Sequence, residues 1–377
     1  MKLGRLTLFF GAGLTILSAN AQTNDDEDGR FAFGGYGETT YTRTEDVVDS
    51  FKTKFVPIFL VKVSDKLHVE AELEFSIGED GETETELEYG DIHYFINDQW
   101  TFTAGKFLLP FGQFGANLHP SWINKLPSVP GTYGGHGGNG LMSGVIPVLS
   151  DTGVAIQFTQ PIGKHSKWFI DLYLVNGARE EVEEHSEEAE VGEIDGHGEN
   201  LFPEIEFEGG SSDNNDNKAL GGRVGLAFLP EWEVGYSFYR SKYDASGDLS
   251  YNASAFDINW ISDYVSVRGE YIRSEADALV EELHEGEYVD ELYRIDRSGW
   301  YIQGTYSLRQ LNIESLNTVE AVVRHSRLKG IDEGERWTYG VNYWLSPSTA
   351  LKFAFEDTKM FNGDKDTRVF AQFAYGF

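Results

Sequence analysis

From about residue 31 onward the chain breaks into short segments in which apolar and polar residues alternate, joined by connections that are short and long in turn. A period of two marks a β-strand with two unlike faces. Leu351, Phe353 and Phe355 oppose Lys352, Ala354 and Glu356; Trp337, Tyr339, Val341 and Tyr343 oppose Thr338, Gly340 and Asn342. Short turns are expected at Ser64-Asp65-Lys66, Asn97-Asp98, Gly163 to Ser166, Pro230-Glu231, Ser262-Asp263, Gln310 to Ser315 and Ser346-Pro347-Ser348. Longer loops are expected near 46–51, 79–83, 108–151, 178–217, 244–249, 276–295, 329–334 and 359–366. These connections leave about sixteen strands, an even number with both ends on the short-turn side. The pattern predicts an all-β fold, a closed antiparallel barrel crossing a membrane. An open sheet in lipid would leave unpaired backbone groups at its edges, each costing several kcal/mol.

Lys2 and Arg5, the apolar run Leu6 to Leu17 and Ala19-Asn20-Ala21 read as a signal peptide over residues 1–21, with 22–30 a short N-terminal segment and 31–377 the barrel. A dozen apolar residues are too few for a spanning helix, and no later run is longer. A chain with 42 Gly, 26 Phe and 19 Tyr but a mean hydropathy of -0.36 fits a barrel, whose lumen-facing half is polar. The net charge of -32 argues against nucleic acid as a partner, and the absence of cysteine excludes disulfides and thiolate metal sites. Trp100, Trp168, Trp232, Trp260 and Trp344 all fall near short turns, as a girdle at one membrane interface, while Trp300 and Trp337 follow long loops and suit the other. The strand near Glu84 to Ile96 alternates poorly, which a bulge or a subunit contact would explain.

Four stretches resemble porins of the phosphate-selective porin O and P type: Leu67 to Phe75, Tyr94 to Asp98, Ala104 to Gly112 and Gly340 to Pro347. The resemblance implies a sixteen-stranded channel, a homotrimer in outer-membrane lipid, whose third loop folds inward and narrows the pore. Here that loop is 108–151. It also implies that Phe377, at the end of the alternating strand Val369 to Phe377, is read by the barrel-assembly machinery. Phosphate-selective members carry an Arg and Lys ladder, and no comparable basic run lies on one face of this sequence.

The pore-lining candidates are Glu70, Glu72, Glu74, Lys106, Arg268, Glu270 and Lys352. His68, Glu70, Glu72 and Glu74 share one face at two-residue spacing, so three carboxylates focus a negative potential on one wall unless cross-strand cations neutralise them. Within the proposed constriction loop, His119, Lys125 and His136 are the polar candidates, and the Gly-rich run Gly134 to Gly140 lets the loop bend back. The acidic extracellular loop, 178–217, holds His185, His197 and Glu187, a possible but weakly spaced divalent-metal set. No catalytic constellation and no cofactor motif is present, so an enzyme is not expected. The expected function is a passive channel for small hydrophilic solutes or ions that favours cations. The alternatives are a phosphate- or other anion-selective porin, a metal-capturing barrel and, less favoured, a barrel hydrolase.

Overall fold

The computed structural model of the chain describes residues 30–44, 48–78, 80–134, 140–180, 203, 205–207, 213–229, 231–284, 287–330 and 333–377. The expected signal peptide, His136, His185, Glu187 and His197 lie outside these residues. Sixteen strands form the wall: β1 (Phe31–Thr44), β2 (Ser50–Ser64), β3 (Leu67–Ile77), β4 (Thr83–Phe95), β5 (Trp100–Leu108), β6 (Ser150–Ile162), β7 (Ser166–Val175) and β8 (Ala219–Phe228) make up its first half. The second half is β9 (Trp232–Lys242), β10 (Ser250–Ile261), β11 (Val265–His284), β12 (Glu287–Ser307), β13 (Val319–Lys329), β14 (Gly334–Ser346), β15 (Thr349–Met360) and β16 (Lys365–Gly376). Each pairs antiparallel with its chain neighbours, and β1 closes on β16, with Tyr36 opposite Gly376 and Thr44 opposite Arg368. Closure leaves no unpaired sheet edge, which is what permits strands to cross lipid. Among the described residues no helix is long and apolar enough to cross a membrane.

The two faces behave as the alternation requires. On β15, Phe353 and Phe355 are exposed while Lys352, Ala354 and Glu356 are buried. The outer face therefore offers lipid a belt of large apolar side chains, and the inner face gathers the charge. At the short-turn rim the belt ends in outward aromatic contacts, Trp100 with Phe158, Phe158 with Trp168, and Trp232 with Trp260. At the opposite rim, the His325 ring stacks on Trp337 at 4.2 Å and meets Trp300 edge-on at 5.1 Å.

Two expectations change and a third is resolved. The loop expected at 276–295 is instead strand: β11 and β12 stay paired from Val265 opposite Tyr306 to His284 opposite Glu287. β10 pairs with β11 only as far as Ala276, and β13 pairs with β12 only from Ser298 onward, so the ends of β11 and β12 form a two-stranded ribbon standing beyond their neighbours. Beyond the lipid belt neither face has to be apolar, so the ribbon keeps its ladder while its charges read as loop. Trp344 belongs to the inner face, with the Lys125 ammonium 4.5 Å above its ring, because it alternates with outward Tyr343. The poor alternation of β4 is a bulge: Glu72 faces Tyr89 and Leu73 faces Leu87, leaving Glu88 as the extra residue. Inward and outward positions change phase there, so Leu87 and Ile92 are both exposed on the outer face.

Candidate functional site

A closed barrel of sixteen strands is too wide for its wall side chains to fill. Between β5 and β6, the described residues 109–134 and 140–149 make contacts with the inner wall. Phe111, Phe114, Tyr133, Met142, Val145 and Ile146 pack with Tyr239, Tyr251, Ile272 and Tyr301 of the inner wall in one apolar cluster.

Polar contacts hold the same segment against β9–β16. Glu270 of β11 accepts the backbone N–H groups of Gln113 at 2.9 Å and Phe114 at 2.6 Å, together with the hydroxyls of Tyr133 and Tyr301. Burial and the nearby Glu270 carboxylate push the Tyr133 phenol well above its ordinary range, which keeps it a hydrogen-bond donor. Farther along, Lys125 reaches Glu320 at 2.9 Å and Ser128 reaches Glu356 at 2.7 Å. Arg324 donates to the carbonyls of Ser128 and Val129, both at 2.9 Å, and Lys352 donates to those of Asn124, at 2.6 Å, and Ser121. Glu270 and Lys352 thus face inward but lie beneath the segment. His119 binds the Gly115 carbonyl within the segment, at 2.6 Å.

Arginines missing from any single run of sequence meet across strands. Arg268 lies opposite Gln303, Gln303 opposite Arg324, Arg324 opposite Thr338, Thr338 opposite Glu356 and Glu356 opposite Arg368. Arg336, one step along β14, lies 3.5 Å from Glu356, which also pairs with Arg368. The wall behind the segment therefore carries an arc of guanidinium groups, with Glu356 shared between Arg336 and Arg368 and loop carbonyls covering Arg324.

Of the rest of the wall, β1–β4 carry a set of acidic side chains. Glu72 accepts the Tyr36 hydroxyl at 2.9 Å, Glu74 pairs with Lys54 at 3.0 Å, and His93 contacts Asp91 at 3.0 Å. His68 stands opposite His93, Glu70 opposite Asp91 and Glu74 opposite Glu86. Glu38 of β1 accepts a hydrogen bond from Gln372 of β16, at 3.2 Å. Glu86 and Asp91 fall on the same inner face only because the extra residue Glu88 shifts the register, so a strict period of two does not bring them together. Lys106 lies opposite Gly90 and Thr152, 3.8 Å from Glu86. Phe377 packs on the outer surface, stacked on Phe55 at 5.3 Å and beside Phe33 at 5.7 Å.

No protein-family model matches the chain, and no curated protein does. Solved structures do. The anion-selective porin from Comamonas acidovorans superposes with a TM-score of 0.59 at 10% identity, over 92% of this chain and 99% of that one. Salmonella typhi OmpF in complex with daunomycin gives 0.57 at 12%, over 92% and 97%. A loop L8 deletion mutant of OmpT, an outer membrane protein of Vibrio cholerae, gives 0.57 at 12%, over 92% and 99%. At these identities the likeness is one of fold: the chain has the sixteen-strand transmembrane barrel of Gram-negative outer-membrane porins.

Proposed function

We propose that the chain is a passive diffusion channel for small hydrophilic solutes and ions that favours cations, with residues 109–149 as its constriction. The observation that carries this reading is the asymmetry of the lumen. The segment held against β9–β16 contains no Asp or Glu, whereas β1–β4 bring Glu38, Glu70, Glu72, Glu74, Glu86 and Asp91 toward the remaining space. Carboxylates on a low-dielectric wall raise the local concentration of cations. By analogy with an OmpT structure described as a trimer form, the working assembly is a homotrimer in outer-membrane lipid. Delivery by the barrel-assembly machinery through Phe377 belongs to the same proposal.

Reversal potential in a planar bilayer under a KCl gradient tests the reading. K⁺ should be preferred over Cl⁻, and Glu→Gln at positions 70, 72 and 74 together should move the reversal potential toward zero. The arginine arc of Arg268, Arg324, Arg336 and Arg368 favours a second reading, a phosphate- or other anion-selective porin of the O and P type. A Cl⁻ preference left unchanged by the triple substitution would establish that alternative and remove the first.

A further inference from the structure

Directly opposed like charges destabilise a sheet, yet β3 and β4 place acids face to face twice on the lumen side. Glu70 stands opposite Asp91 and Glu74 opposite Glu86. Between them the bulge at Glu88 brings a third acid near Glu72, close enough for the two to interact electrostatically. Along a strand these rungs are about 7 Å apart, and facing Cβ atoms are about 5 Å apart. The result is a double file of carboxylates running down one wall and ending at the facing pair His68 and His93.

Some of these acids have partners within the protein: Lys54 pairs with Glu74, Lys106 lies 3.8 Å from Glu86, the Tyr36 hydroxyl donates to Glu72 and His93 contacts Asp91. Glu70 is different: it is only 4% exposed, it faces Asp91, and its Oε1 has no hydrogen-bond partner. A buried carboxylate oxygen left without a donor is costly, and a cation held between Glu70 and Asp91 supplies what it lacks. Val56, Ile58 and Leu60 lie on the inner face of β2, where their apolar side chains strengthen the field.

We propose that this double file is a path for hydrated divalent cations, Mg²⁺ or Ca²⁺, with the Glu70 and Asp91 rung as its tightest step. The inference rests on the channel reading above and names the solute class. Among the described residues no group of three or more His, Asp or Glu side chains is arranged to hold a metal ion. An ion here therefore meets two carboxylates at a time and keeps most of its water, a mode that suits Mg²⁺ and permits release. Paired carboxylates discriminate by charge: a divalent ion gains twice the Coulomb energy of K⁺ at each rung.

The test is single-channel recording of K⁺ current with MgCl₂ or CaCl₂ added, together with reversal potentials under K⁺/Ca²⁺ bi-ionic conditions. The native channel should show block of K⁺ current by the divalent ion and a permeability ratio favouring Ca²⁺. Replacing Glu70 by Gln and Asp91 by Asn together should raise the half-blocking concentration about tenfold, equivalent to about 1.4 kcal/mol. If that pair folds poorly on a heat-modifiability gel, Glu72→Gln with Glu88→Gln removes the neighbouring rung and should give a smaller rise in the same direction. Glu314→Gln, in a short turn outside the lumen, is the control and should change nothing. A channel that prefers K⁺ over Cl⁻ yet shows no divalent block, or equal block in every variant, overturns the divalent path and leaves the cation channel standing. A Cl⁻ preference overturns both.

Discussion

Gly112 shows how much one residue can decide. Its φ of +64° suits glycine, and a Cβ there would stand 2.6 Å from the Tyr133 hydroxyl and 2.8 Å from the Glu270 carboxylate. Gly112→Ala should therefore push apart the clamp that holds the start of the loop to its middle. Glu270→Ala should do so more strongly, because it strips acceptors from two backbone amides, and hydrogen bonds to a charged group contribute about 1.5–3 kcal/mol each. Both barrels should still form, with the loop loosened and the single-channel current visibly noisier than native; quiet, native-like traces from both would separate Glu270 from control of the aperture. A second residue-scale case lies at the seam. Phe377 rests over Gly35, where a Cβ would meet the phenyl ring at 2.8 Å and the Val56 carbonyl at 2.3 Å. Phe377→Ser and Gly35→Ala should each lower the folded, heat-modifiable fraction while leaving the conductance of the surviving channels native. Normal yields would show that the seam does not depend on this contact. Alternation in sequence was enough to place Phe377 outward and Glu270 inward. What Glu270 holds was not legible, since its partners at 113, 114 and 133 are over a hundred residues distant and two of them are backbone amides.

At the level of elements, connections were easier to read than their contents. The alternation of short and long links located every hairpin but made the β11–β12 connection too long, because Asp277, Arg294 and Asp296 interrupt the apolar pattern. Periodicity reports a strand only where one face must be apolar, and this ribbon stands clear of that demand. The β4 bulge hid in another way: one inserted residue, Glu88, shifts inward positions from even to odd numbers, so a strict period of two finds no single acidic face. The ribbon and the third loop should respond oppositely to shortening. Deleting Leu279 to Leu292 removes strand that pairs only with itself, and should leave folding and conductance near native. Deleting Thr132 to Asn139 takes away Tyr133 and the run beyond it, and should raise conductance and admit larger neutral sugars in a liposome-swelling assay. Equal conductance from both deletions would place the aperture on the wall strands and not on the loop.

Across the whole molecule, two charge distributions are superposed. The chain carries a net charge of -32, yet Arg268, Arg324, Arg336, Arg368 and Lys352 crowd the inner wall behind the loop, and the acids of β3 and β4 stand on another part of the wall. Which of these an ion senses depends on distance and on salt. Arg324 and Arg336 are fully buried, held by loop carbonyls, Thr358 and Glu356, so their field reaches the passage only through the protein and beside a compensating carboxylate. The acids of β3 and β4 are largely buried as well, Glu70, Glu72 and Asp91 at 4%, 3% and 5% exposed, so it is the part of their field that crosses water that salt screens. The Debye length falls from about 10 Å at 0.1 M salt to about 3 Å at 1 M. The K⁺ over Cl⁻ permeability ratio should therefore drop roughly twofold or more between 0.1 M and 1 M KCl as the long-range part of the field is screened, while conductance continues to rise with salt. Reversal potentials at a fixed concentration ratio, measured at both mean salt levels, give the answer. A ratio that stays constant would mean that selection occurs by direct contact at the rungs, and one that rises with salt would contradict a wall-charge origin altogether.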